Sequence, residues 1–310
     1  MFTVTKDLLL PTTVTGSWPK PGWYDQGLGR RTFKEAMGES AFREQYLDCV
    51  SVVLTEQETA GLDIVTDGDA RFDLAVGGKS WFFYPIDRLG GFSATRDAAP
   101  GWSGDFGIEP GHILHEVQEA YQPPVLTAPV EAGPLQYAEV WRTAQRLTDR
   151  PVKFGSVSAQ TMSRMMWNEH YPNDHEFVLA MCDVINQELR SLADAGCNII
   201  QVEDPRPHML AIQEKSDPTE IDFLVEAFNR EVRGVNAEIW AHTCWGNPSQ
   251  QRMFWEVPSY REALPHLFEL NADVVTFECA SSDGRDFPLF AEVHSDKKIA
   301  IGVVSHTNTV

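Results

Sequence analysis

The chain has 310 residues, 43% hydrophobic and 23% charged, the make-up of an ordinary globular protein with room for a large core. A formal net charge of −20 excludes broad binding to nucleic acid or to an anionic membrane surface, because both need a basic face. Five scattered cysteines without a C-x-x-C exclude a disulfide framework; with no leader-like start and no membrane-length apolar run, the reading is a cytoplasmic protein.

In chain order, Thr12-Thr13-Val14-Thr15 reads as a first strand that stops at the turn Gly16-Ser17-Trp18-Pro19. Phe42, Tyr46, Val50, Val53 and Leu54 recur at helical spacing, and Gly61 closes that helix. Leu62–Thr66 is a second strand, running into Asp67-Gly68-Asp69-Ala70-Arg71. Residues 77–130 break the rhythm with paired Gly and Pro and many aromatics, and read as an inserted lid of loops and hairpins. A helix is expected over 134–147 and a third strand over Val152–Val157.

From there strand and helix alternate cleanly. The helix through Phe177, Val184, Ile185 and Leu192 ends at Gly196, and Asn198–Val202 is a strand ending at Glu203-Asp204-Pro205. Asp217-Pro218-Thr219-Glu220 reads as a capping box opening the next helix. The apolar run at Glu238-Ile239-Trp240 leads to Ala241-His242-Thr243-Cys244. A helix is expected near 259–270, then a strand through Val274 to Glu278. A seventh strand over Lys298–Val304 leads to His306.

Such alternation predicts a parallel sheet. No G-x-G-x-x-G or Walker A pattern follows a strand, so of the two closures the TIM (β/α)8 barrel is preferred over the open nucleotide-binding sheet. In a barrel, functional residues gather after the C-terminal strand ends, where Ser17, Asp69, Glu203, Asp204, His242, Cys244, Glu278 and His306 all fall. His242 and Cys244 share one strand face, and imidazole with thiolate suits zinc or another borderline-soft metal; a plainly buried His and Cys is the alternative.

These strand-end motifs, in this order, resemble those of the cobalamin-independent methionine synthase family, in its C-terminal catalytic barrel. Pro11–Ser17 resembles the segment ending in I-G-S, Asp67–Arg71 the G-E-x-x-R, and Gln201–Pro205 the Q-I-D-E-P. His242-Thr243-Cys244 resembles the metal H-x-C, Thr276–Glu278 the I-E strand, and Gly302–His306 the G-V-x-D-x-H segment. The resemblance implies zinc held by His242, Cys244 and Glu278, and transfer of a methyl group to homocysteine. It implies Asp69 and Glu203 on the substrate amine, Thr15, Gly16 and Ser17 on its carboxylate, and His306 as the general acid. The methyl donor would be 5-methyltetrahydrofolate or a methylcobalamin source.

Departures are specific. Asp69 stands where the family has Glu, and Glu203 where it has Asp. The folate-stacking Trp has no counterpart, since Trp167 is two positions off. Trp245-Gly246-Asn247 is closer to short single-barrel relatives and to epoxyalkane:coenzyme M transferases, so epoxide opening by a thiol is the alternative chemistry, and a non-catalytic relative the third reading. Residues 1–310 read as one catalytic barrel. Seven strands are countable where a barrel needs eight, so the sequence predicts an incomplete barrel lacking strand eight and its Cys ligand. Cys49, Cys182 and Cys197 are expected to be structural, and Cys279 to face the outer helices.

Overall fold

A computed structural model describes residues 4–29, 31–71, 84–95, 123–213, 217–245 and 257–305. Two short-range signals open it: Thr32 and Glu35 form a reciprocal capping box at α1 (Phe33–Gly38), and α2 (Ser40–Thr59) buries Phe42, Tyr46, Val50, Val53 and Leu54. Gly61, at φ +84°, takes the left-handed turn after α2 that a side chain would oppose. Next come β1 (Gly90–Thr95) and β2 (Pro124–Glu131), which pair antiparallel, then α3 (Tyr137–Gln145), β3 (Phe154–Val157) and α4 (Ala159–Ser163). The two-residue β4 (Trp167–Asn168) pairs parallel with β2, so the 77–130 insertion docks part of itself as a small separate sheet.

The second half supplies α5 (Asp174–Asp194), β5 (Ile199–Glu203), α6 (Arg206–Ala211), α7 (Pro218–Glu231) and β6 (Glu238–His242). It continues with α8 (Leu264–Leu267), β7 (Val274–Glu278), α9 (Phe287–Glu292) and β8 (Lys298–Gly302). All five strands of the main sheet are parallel, in the order β3-β5-β6-β7-β8. Among the described residues no helix is long and apolar enough to cross a membrane.

Strand alternation divides the apolar side chains between two cores. Ile200, Val202, Ile239, Ala241, Val275 and Phe277 pack with helix residues such as Phe177, Ile185 and Phe228. Ile64, Ile199, Trp240 and Val274 form a second cluster on the opposite face, with Val4 and Ala300 against it. Ile64 lies outside the five strands, so the sheet curls far enough to enclose a small interior. The parallel bridge Val65–Val152 carries the curl past β3, and Thr12 O accepts from Asp63 N and Ile64 N, each at 3.1 Å.

The described pairings do not close a ring, and the first two expected strands are not ladders. Side chains take the backbone groups a ladder would use. The Asp63 carboxylate accepts from Thr12 N at 2.8 Å, and Gln57 Nε2 donates to Thr66 O while its Oε1 accepts from Thr66 N, both at 2.9 Å. The helix expected over 259–270 is reduced to α8. At α7 the capping box is only half made: Asp217 accepts from Thr219 N, but Glu220 turns out to His175 at 2.7 Å and Arg206 at 3.4 Å.

Candidate active site

Three strand ends meet in register: Glu203 of β5 lies opposite His242 of β6, and His242 opposite Thr276 of β7, one pleat before Glu278. Beside them the 66–71 segment turns back on itself. Gly68 (φ +65°) and Asp69 (φ +54°) are both left-handed, and a Cβ on Gly68 would sit 2.6 Å from Val53 Cγ1. Asp67 accepts from Asp69 N at 3.0 Å and from Arg71 at 2.9 Å, and Arg71 donates to Gly155 O at 2.8 Å. This brace puts the Asp69 carboxylate over β3.

The result is a recess of about 260 Å³ lined by Asp69, Arg71, Tyr84, Tyr137, Gly155 and Glu203 among others. Gly155 makes room at its centre: a Cβ there would lie 3.8 Å from Glu203 Oε1 and 3.9 Å from Asp69 Oδ1. Of the residues expected to hold substrate, Ser17 donates to Asp69 at 3.3 Å, Gly16 forms the preceding turn at φ +79°, and Thr15 reaches Gln201 Oε1 at 3.2 Å. Asp69 also pairs with Arg71 at 3.3 Å.

Burial governs the charges here. It pushes Glu203 up to about 8, with the nearby Asp69 charge adding to the effect. Asp69 is raised by burial too, against the pull of Arg71. Lys153, buried, donates to Gln201 Oε1 at 2.8 Å, sits 4.8 Å from the Trp240 ring centre, and is pulled down to about 7 by burial. The recess therefore holds one carboxyl that resists ionising, Glu203, beside a second, Asp69, that is paired with Arg71.

The expected metal residues stand at neighbouring strand ends. His242 Nδ1 lies 3.0 Å from the Thr276 hydroxyl, leaving Nε2 as the ligand nitrogen, and burial lowers its pKa to about 3, which keeps the imidazole neutral as ligation requires. The Glu278 carboxylate accepts from Trp245 N at 2.9 Å and from the Ser281 hydroxyl, with a second lone pair on each oxygen. Cys244 is half-buried, unlike the other four cysteines, which are buried. In chemistry the donor set fits a thiophilic metal, but the ligand atoms are not drawn together. Among the described residues, the one group of three His, Cys, Asp or Glu with ligand atoms all within 4.8 Å is Asp222, His266 and Glu269, on the outer helical layer. His306 lies outside the described residues.

Cys279 is buried in the outer core with Tyr260, Phe277 and Phe290, on the face expected of it. Asp204 departs from the strand-end set. It points away from Glu203 and accepts from Ser158 Oγ at 3.0 Å and from Gln160. Lys153, Tyr84 and Tyr137 escaped the sequence reading. Period two on Lys153-Phe154-Gly155 did hold a signal, since it puts Lys153 on the Gly155 face.

A model of the cobalamin-independent synthase catalytic domain matches residues 106–310, more than half of the chain. The methionine synthase of Sulfurisphaera tokodaii is 28% identical over 97% of this chain and 76% of its own length, and that of Sulfolobus acidocaldarius 27% over the same shares. Among solved structures, a Shewanella B12-independent methionine synthase in complex with selenomethionine matches with a TM-score of 0.69 at 22% identity, over 97% of this chain and 82% of that one. A putative vitamin-B12 independent methionine synthase from Listeria monocytogenes matches at 0.59 and 16%, over 93% and 81%. Both likenesses are of fold. The chain belongs to the cobalamin-independent methionine synthase family, through its catalytic domain, and is an enzyme of the methyltransferase class.

Proposed function

We propose that the protein is a cytoplasmic, zinc-dependent methyltransferase that converts homocysteine to methionine, on a (β/α)8 barrel of which the curled sheet is the larger part. The observation that carries the reading is the pair of Asp69, buried, and Glu203, half-buried, facing each other across Gly155 beside the ends of β5 and β6. A substrate ammonium entering there lets Glu203 ionise beside Asp69, so binding is coupled to the loss of the Glu203 proton. Ser17, which donates to Asp69, and the Thr15–Gly16 turn before it would meet the carboxylate of an amino acid. His242, Cys244 and Glu278 would hold the metal; when bound, it lowers the pKa of the substrate thiol while leaving sulfur electrons to attack. Holding donor and acceptor in line supplies much of the acceleration, and His306 would protonate the departing amine. The donor is 5-methyltetrahydrofolate or another carrier of an activated methyl group, such as methylcobalamin.

The test combines metal content with turnover. Protein prepared with zinc should carry about one equivalent. It should form methionine from homocysteine with methyltetrahydrofolate or methylcobalamin, and Cys244→Ala should lose both metal and activity. Wild-type protein that binds no zinc under these conditions, or a Cys244→Ala variant with full activity, sinks the reading.

A further inference from the structure

His208 has no part in that chemistry, yet it touches it. It lies on α6, fully buried, packed edge-on against Trp245 with ring centres 5.0 Å apart and tilted against Tyr260 at 5.5 Å. Its Nε2 is 2.6 Å from the carbonyl oxygen of Cys244. A carbonyl only accepts, so the proton is on Nε2 and the ring donates. Nδ1 is then a bare acceptor, and among the described residues it has no partner although it is buried. An apolar side chain of the same size would fill this space without stranding a polar atom.

We infer that His208 is a positioning residue: its Nε2–H fixes the Cys244 carbonyl, and so sets the direction in which the Cys244 thiol leaves the end of β6. The surrounding contacts make this bond the link between two strand ends. Cys244 is followed by Trp245, whose N–H binds Glu278 Oε2, and Tyr260 Oη accepts from Glu278 N at 3.3 Å. His208, on the helix α6 that follows β5, ties this assembly to the Glu203 side of the recess. The effect on metal binding rests on reading Cys244 as a ligand; the effect on the thiol itself does not.

Three substitutions separate hydrogen bond from packing. In His208→Gln the side-chain Nε2 can reach the place of the imidazole Nε2, in His208→Asn the amide falls nearer the Nδ1 position, and His208→Met keeps volume without a donor. Each full-length protein is checked by thermal melting, and the Cys244 alkylation rate is then measured by mass spectrometry on metal-free protein with iodoacetamide. The Met and Asn variants should alkylate at least about threefold faster, and Gln should stay near wild type. With cobalt(II) followed by its thiolate charge-transfer band, affinity should fall roughly tenfold in Met and Asn and recover in Gln. Equal alkylation rates in all four proteins, or a Gln variant as fast as Met, overturn the inference. If the wild type gives no cobalt–thiolate band but the alkylation order holds, the metal reading fails and the positioning role stands.

Discussion

Two glutamates on neighbouring strands, one buried and one half-buried, meet opposite fates. Glu238 starts β6 at the floor of the curled sheet, fully buried, and its carboxylate accepts from Val4 N and Thr5 N at 3.0 Å, Thr5 Oγ1 at 2.8 Å and Trp240 Nε1 at 3.0 Å. Glu203 ends β5 at the other end of the sheet, with Asp69 nearby and a pKa pushed up to about 8 by burial. An anion supplied with four donors is a structural tie. One placed beside a second carboxyl, next to an open recess, is the group that on the proposed function would receive the substrate's ammonium. Position along a parallel strand thus separates the two roles, with structure at the N-terminal ends and chemistry at the C-terminal ends.

The comparison can be broken in four ways. The largest effect is expected at Glu203. Its pKa is raised in the folded protein, so the ligand-free fold holds a proton that the unfolded chain releases above about 4.5, and stability falls as pH rises from there to about 8. Glu203→Gln removes this slope and should gain on wild type by roughly 1.4 kcal/mol per pH unit inside that window. Urea unfolding of both proteins at pH 5 and pH 8 checks it; an unchanged gap between them refutes it. Next, Glu238→Leu strips an acceptor from four donors at the floor and should cost about 3 kcal/mol in the same assay. A loss below 1 kcal/mol would mean that the floor is not held as described.

A smaller effect should follow Gly155→Ala. Its methyl fits at ordinary contact distance from both carboxylates, so melting temperature should hardly move, while KM for the amino-acid substrate rises about tenfold with kcat less affected. Steady-state kinetics decide this, and an unchanged KM would remove the substrate from the Asp69–Glu203 gap. The smallest change is Thr5→Val, which removes one of the Glu238 hydrogen bonds and should cost about 1 kcal/mol without altering turnover.

Much of this was legible in the sequence, for physical reasons. The strands at 199–203, 238–242, 274–278 and 298–302 announce themselves because a parallel sheet covered on both faces needs apolar runs. The strand-end residues Asp69, Glu203, His242, Cys244 and Glu278 follow from where those runs stop. The lost strands at Thr12–Thr15 and Leu62–Thr66 were not legible, because Asp63 and Gln57 intercept the backbone from a distance that no local pattern encodes. Lys153 was included in the third strand without a role, and its burial depends on Gln201 and Trp240 from later strands. His208 was not singled out, since the polar partner it meets is a main-chain carbonyl 36 residues away.

The floor contacts also bear on the order in which the molecule is assembled. Thr5 binds Glu238, 233 residues away, and the Lys298 amine binds Thr5, 293 residues away. A ribosome releases Thr5 long before Glu238 and Lys298, so the opening segment has no docking site until β6 and β8 exist. Contacts of such sequence separation carry the largest loop-closure entropy and form late. Until then the underside of the nascent sheet, with Trp240 and Val274 on it, stays open to solvent and to other chains. The β6–β8 stretch that receives Thr5 is therefore also a piece whose late arrival leaves the folding chain exposed to aggregation.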